Sequence, residues 1–326
     1  MSAEVEFTAA LVIAGDYVYI AAALAGLPAY SPHTRLFLYD GQSQQPWTKH
    51  DVSFWTIGLE KIPDESDDEG GWILCALSEE GDVELMSATA DPALERIPDA
   101  GLRGPTSKGY GYLLSLRRIG GHLHACGSAG QVYKRLGPGR WVHMDAGLLQ
   151  APNVKARLLL QDINGAAEDD IYVVGDIPGP GGPEGRLFHW NGSAWRPVDI
   201  PSVGALNALH VEDRDRVWVC GARGTILRGN HRDGFDDLTT PGSRQLFHAM
   251  TVHDGVLYLG SNFGLFQYDP QRGRVARVRT GLEVEPSYVS TLGQADGVLW
   301  GVGPKDIVYF DRRTWTRVQH PDNPKI

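Results

Sequence analysis

The 326-residue sequence predicts an all-β fold made of repeated four-stranded units. Three observations lead there: one short hairpin-like segment recurs seven times, glycine keeps a fixed place within it, and a further strand, often opened by Trp, follows it. VWVCGARGTILRGN (217–230) is the plainest copy, with Gly221 and Gly224 set between two apolar runs. LHACGSAGQVYKR (123–135), LYLGSNFGLFQYD (257–269) and LWGVGPKDIVYFD (299–311) match it directly. IYVVGDIPGPGGPEGRLFHWN (171–191) and VYIAAALAGLPAYSPHTRLFLYD (18–40) match with longer middles, and ILCALSEEGDVELMS (73–87) matches more weakly. The spacing is roughly 40 to 50 residues, the period of a supersecondary repeat.

The flanks repeat as well. Before the hairpin comes an apolar stretch ending in a polar turn, as in ALNALHVEDRDR, QLFHAMTVHDG, YVSTLGQADG and YLLSLRRIGG. After it comes a tight turn and a last strand, as in DGQSQQPWTKHDV, LGPGRWVHMD, NGSAWRPVDI and DRRTWTRVQH. Each unit therefore reads as four short strands joined by turns. The recurring glycines are expected to supply the positive φ of a tight hairpin.

One four-stranded sheet cannot bury both faces alone, whereas seven packed side by side can. The pattern predicts a seven-bladed β-propeller of four-stranded antiparallel blades, with blades at about 7–52, 53–99, 104–150, 151–202, 203–241, 243–283 and 286–322. No linker interrupts the series, so residues 1–326 read as a single domain. The last blade has four strands of its own, so packing of the first blade on the last is expected to close the series. The alternative is an N-terminal strand at Glu4–Thr8 joining the last blade. Two β-sandwiches would leave the seven hairpins unexplained.

The units resemble those of the kelch-like and sialidase-like bacterial propeller superfamilies, with DDIYVVGD…GRLFHWNGSAW (169–195) carrying the resemblance most closely. It covers essentially the whole chain and implies the fold, but little about function. The Asp-box pattern S-x-D-x-G-x-T-W is absent: Asp311-Arg312-Arg313-Thr314-Trp315 is one residue short and lacks the glycine. The Gly-His and Trp-Asp pair of WD repeats is missing too.

Composition fits a globular, turn-rich chain: 42% hydrophobic, 21% charged, 40 Gly and 20 Pro. A net charge of −10 argues against nucleic-acid binding and favours a basic partner. No apolar run reaches membrane-spanning length, and Glu4, Glu6 and Asp16 break the signal-peptide pattern, so a cytoplasmic protein is expected. Cys75, Cys126 and Cys220 share one register in their blades, where the others carry Ala21, Val174, Leu259 and Val302. They read as buried thiols, not as a disulfide framework.

Catalytic and metal motifs are weak. The glycines at 221 and 224 feed a strand instead of a helix, so they are no phosphate cradle. His122 and His124 share a strand face near His143 but lack a spaced carboxylate, and read as partly exposed strand histidines. His189, His210, His248 and His253 form no motif. PDESDDEGG (63–71) departs from a calcium loop at Ser66 and Glu69 and reads as a solvated turn between the first two strands of blade two. Glu60, Asp162 and Glu212 are candidate inward carboxylates, but nothing in the sequence shows them converging. No metal and no cofactor is expected, and nothing argues for catalysis.

Function is then expected on loops. In propellers the fourth-to-first crossings and second-to-third loops share one end, and two of the latter are long here, at 23–34 and 177–185. The first loop offers Leu27, Tyr30 and His33; the starts of first strands add Phe54, Trp55, Lys108, Tyr110, Lys155, Arg157, Asn207, Arg244 and Tyr288. Tyr30, His33, Trp55, Tyr110, Lys155, Arg157, Arg244 and Tyr288 are the candidate partner-binding residues, because aromatics and arginine dominate binding hot spots. The bland reading packs Trp55 and Tyr110 between blades. The sequence thus points to a non-catalytic protein-binding propeller of the immunity or antitoxin type, neutralising a basic toxin domain. A carbohydrate-binding or carbohydrate-active propeller is the alternative.

Overall fold

The structure, a computed structural model, describes residues 3–67, 70–201 and 203–326. It consists of seven four-stranded antiparallel sheets in chain order, the blades of a β-propeller. They span 5–52, 56–96, 113–143, 159–197, 206–237, 247–277 and 291–317. Ala222–Gly224, one turn of 3-10 helix, is the only helical segment among the described residues. The described residues group into two compact units: Met1–Thr56 with Leu238–Ile326, holding blades one, six and seven, and Ile57–Asp237, holding blades two to five.

In the first unit the core joins blades one and seven. Val5, Phe7, Val18, Ile20 and Phe37 pack with Trp300, Val302 and Ile307. Burying a side chain of this size stabilises by about 1.5–3 kcal/mol. Residues 5–8 belong to blade one, where Val5 pairs with Leu24, and blade seven keeps its own four strands. The two blades meet by packing and backbone contacts, as expected: Trp300 Nε1 donates to Gly15 O at 3.1 Å and Phe7 N to Pro304 O at 2.8 Å. The chain end reinforces the seam, with Val5 N donating to Asn323 Oδ1 at 3.0 Å.

In the second unit the blades pack through Leu77, Val83, Leu113 and Leu116, then Ile163, Ile171 and Val173, then Leu206, Val217 and Val219. Cys75, Cys126 and Cys220 are free and fully buried, matching the aliphatic register of the other blades. Burial pushes all three thiols well above their usual range, so they act as small apolar side chains.

Two local expectations need correction. The glycine that follows the apolar run of the second strand in most copies (Gly127, Gly175, Gly221, Gly260, Gly303) does not have a positive φ. It is needed for close approach: a Cβ on Gly175 would stand 1.7 Å from Leu159 O, and one on Gly221 2.1 Å from Ala205 O. At that point the second strand crosses a lead-in segment, that of its own first strand at Gly127, Gly175, Gly221 and Gly303 and that of blade seven at Gly260, and no side chain fits. Only the next glycine, as at Gly224 with φ 72°, serves the turn. The stretch 177–185 is no open loop either. The strands Asp170–Gly179 and Gly182–Trp190 stay paired to the tip, with Gly179 opposite Gly182.

Candidate functional site

The end of the blades that carries the second-to-third turns is set by backbone hydrogen bonds within each unit. In the first unit Val289 N donates to Ser261 O, so the turn of blade six lies against the lead-in of blade seven. In the second unit Leu113 N donates to Glu79 O, Gly130 N to Leu158 O and Gly185 N to Val203 O, linking blades two, three and four each to the next. Turns and crossings therefore share one end in each unit, as propeller geometry requires.

At that end of the first unit, the blade-one loop is a braced projection. Tyr30 adopts a left-handed φ of 58° and is 70% exposed. Ser31 Oγ donates to Pro28 O at 2.7 Å, and Leu27 lies exposed beside it. The Tyr30 ring meets Trp55 edge-on, with centroids 5.3 Å apart. Trp55 is half-buried and lies beneath that loop. Below, Thr34 Oγ1 donates to Phe54 O at 2.8 Å and accepts from Thr56 N at 2.9 Å, fixing the lead-in of the following blade. Arg35 grips Asp51 with two hydrogen bonds of 2.7 and 2.8 Å, and His33 Nε2 lies 3.7 Å from the same carboxylate. The Arg35 guanidinium holds the Asp51 carboxyl below its ordinary pKa. A groove of about 450 Å³ runs along the loop, lined by Glu6, Leu24, Leu27, Tyr30, His33 and Trp55.

The other candidate residues separate into groups. In the first unit Tyr288 packs against His248 at 5.7 Å, and Arg244 is exposed. In the second unit Tyr110 is half-buried, 6.5 Å edge-on from His143, while Lys155 is exposed and Arg157 is tied down by donating to Pro152 O. Sequence reasoning missed Phe263, which is 59% exposed in the blade-six turn. The signal was there: the other copies carry Ala129 or Arg223 at that tip.

The polar candidates are occupied by structural partners. Asp162 accepts from Ser115 Oγ at 2.8 Å, Ile163 N at 3.0 Å and Leu209 N at 3.1 Å, so it ties the first strands of blades three, four and five. Glu60 accepts from the backbone N–H groups of Lys61 and Arg118, and Glu212 from Trp218 Nε1 at 2.6 Å. Glycoside hydrolysis needs two carboxyl groups facing one bond. These three are instead engaged by strands and side chains of the fold, which disfavours the carbohydrate-active alternative.

The histidine reading also changes. His124 is fully buried, and burial pulls its pKa down to about 4. A carboxylate does accompany the pair: Glu168, from the first turn of blade four, accepts from Lys134 and lies 2.7 Å from His122 Nδ1. His143 instead contacts Asp145 and Asp99. In the 63–71 stretch, positions 68 and 69, and with them the Glu69 of the calcium-loop comparison, lie outside the described residues. Among its described residues Asp64 is buried and accepts from Ser66, Ser87 and Thr89. Hydrogen bonds led by that of Ser66 hold its carboxyl at about 2. His189 is likewise no scattered residue, since Asp170 and His231 converge on it.

No family model matches the chain. The chain is similar to the immune protein Tsi7 of Pseudomonas aeruginosa, 28% identical over 280 residues, covering 82% of this chain and 87% of the relative. Among solved structures it is similar to the WD40 β-propeller domain of Doa1, with TM-score 0.63, 13% identity and coverage of 95% and 93%. It is also similar to virginiamycin B lyase from Staphylococcus aureus, with TM-score 0.59, 12% identity and coverage of 82% and 84%. At such identities the structural likenesses speak for the propeller fold alone. No helix among the described residues is long and apolar enough to cross a membrane.

Proposed function

We propose that this chain is an immunity-type protein: a single-domain, non-catalytic propeller that binds a protein toxin and blocks it. The observation that carries this reading is the similarity to an immune protein over most of both chains. The site chemistry supports it. The carboxylates that could have served hydrolysis hold the fold together, whereas Leu27, Tyr30, Phe263 and Tyr288 are displayed at the loop end of the first unit. Aromatic side chains on a braced loop bring contact area at low entropic cost.

The toxin surface that fits is basic with an apolar notch. The chain's charge of −10 steers such a partner, and Tyr30 with Trp55 fills the notch. Action in the cytoplasm, ahead of the toxin's target, fits the same reading. The experiment is co-production in cells with toxin domains, taken first from any that genes adjacent to its own encode. Survival with the wild-type chain and reduced survival with Tyr30→Ala/Trp55→Ala support the proposal. Equal killing with and without the wild-type chain refutes it.

A further inference from the structure

Asp170 opens the second strand of blade four, and His189 lies near the end of the third. His189 pairs across the ladder with Tyr172, two residues after Asp170, so all three side chains share one sheet face. His231 follows directly on the third strand of blade five. Its ring stacks on that of His189, with centroids 3.6 Å apart and planes 7° from parallel.

The arrangement leaves a charge unanswered. Asp170 is 1% exposed, and its Oδ1 lies 2.7 Å from His189 Nε2. Its Oδ2 is buried without a hydrogen-bond partner. Asp162, buried in the same unit, takes three hydrogen bonds. A buried carboxylate with a bare oxygen carries a desolvation cost that a cation would remove. His231 Nδ1 lies 4.0 Å from Asp170 Oδ1, and one donor atom from each of the three residues falls within 4.8 Å of the others. Donors on a tetrahedral zinc-like ion stand roughly 3.3 Å apart, given bonds of about 2.0–2.1 Å. To reach it, the stacked imidazole rings must tilt out of parallel so that both nitrogens point at one ion.

The Tyr172 hydroxyl accepts from His231 N at 3.0 Å and lies 2.8 Å from Nδ1, the nitrogen nearest Asp170, so an ion bound at Nδ1 would take the place of that contact. The His231 side chain is 32% exposed, so an ion has a way in and a solvent-facing position remains for a further ligand.

We propose that Asp170, His189 and His231 form a binding site for a divalent transition ion of the zinc class. Two imidazoles and one carboxylate suit such an ion and disfavour calcium or magnesium, which take oxygen ligands. The ion would cross-link two strands of blade four to the chain leaving blade five, a structural role.

The test uses untagged, chelator-treated protein titrated with Co²⁺, read by visible absorption, and with Zn²⁺ by calorimetry. Stoichiometric binding in the micromolar range or tighter is expected, with a raised melting temperature. His231→Ala removes an exposed side chain and is expected to weaken binding by roughly tenfold or more. His189→Gln, if it folds, should do the same, and His122→Ala should leave binding unchanged. Unchanged affinity in His231→Ala, loss in His122→Ala, or no stoichiometric binding by the wild-type chain would each overturn the assignment.

Discussion

The two units hold their blades together by different chemistry. In the second, buried acids do it: Asp162 links three first strands, and Glu95 of blade two accepts from Arg135, Gly139 N and Trp141 Nε1 of blade three. In the first, rings do it: His320, from the chain end, lies 4.5 Å from both Phe37 and Trp47 and 5.5 Å from Phe7. Hydrophobic repeats alone specify that blades stack, and the seams between them are free to differ. A carboxylate seam depends on every donor being present, whereas an aromatic seam depends on shape and on staying uncharged.

The comparison breaks most sharply at Glu95. Burial alone would raise its pKa, but Arg135, Gly139 and Trp141 hold it below the ordinary value. Glu95→Ala strands a guanidinium and an indole N–H, and is expected to cost about 3–5 kcal/mol in urea denaturation. A loss below about 1 kcal/mol would mean that the ionic seam is incidental. Next in size is the backbone crossing common to both units. Gly175→Ala places a Cβ 1.7 Å from a carbonyl oxygen and should cost about 3 kcal/mol. Gly26→Ala meets nothing within 4 Å and should cost only about 1 kcal/mol, from its positive φ.

Acid sharpens the contrast for the aromatic seam. Burial lowers the pKa of His320 from 6.5 to about 4. The unfolded chain therefore takes up that proton first, and stability falls as pH drops from about 6.5 towards 4, by on the order of 2–3 kcal/mol. His320→Phe keeps the ring and should remove its share of this slope, leaving the share of His124, whose pKa burial also lowers to about 4. An unchanged slope would show that His320 is not its source. The smallest effect belongs to the exposed pair Arg214–Asp169, where Arg214→Ala should leave the unfolding midpoint where it is.

The blades were legible because an apolar hairpin, its turn and a Trp-opened strand repeat in sequence, and the thiol register followed from the same alignment. The reason for the glycines was not, because Gly221 looks identical whether it serves a turn or a close approach to Ala205. The places of Tyr30 on a long loop and of Trp55 before a first strand were legible, but their ring contact was not. The Asp170, His189 and His231 cluster was invisible. Three strand ends that meet only after two blades pack leave no spacing to read. The same holds for Glu168, whose partners lie on the preceding blade.

The proposed function requires that the displayed side chains bind the toxin. It is tested most directly by the affinity of the purified chain for a toxin domain against which it protects cells, with and without Tyr30→Ala. The account predicts a stoichiometric complex, weakened by about 2 kcal/mol, or roughly 30-fold, in the variant, whose unfolding midpoint stays unchanged. No complex with the wild-type chain, or equal affinity in the variant, would contradict it.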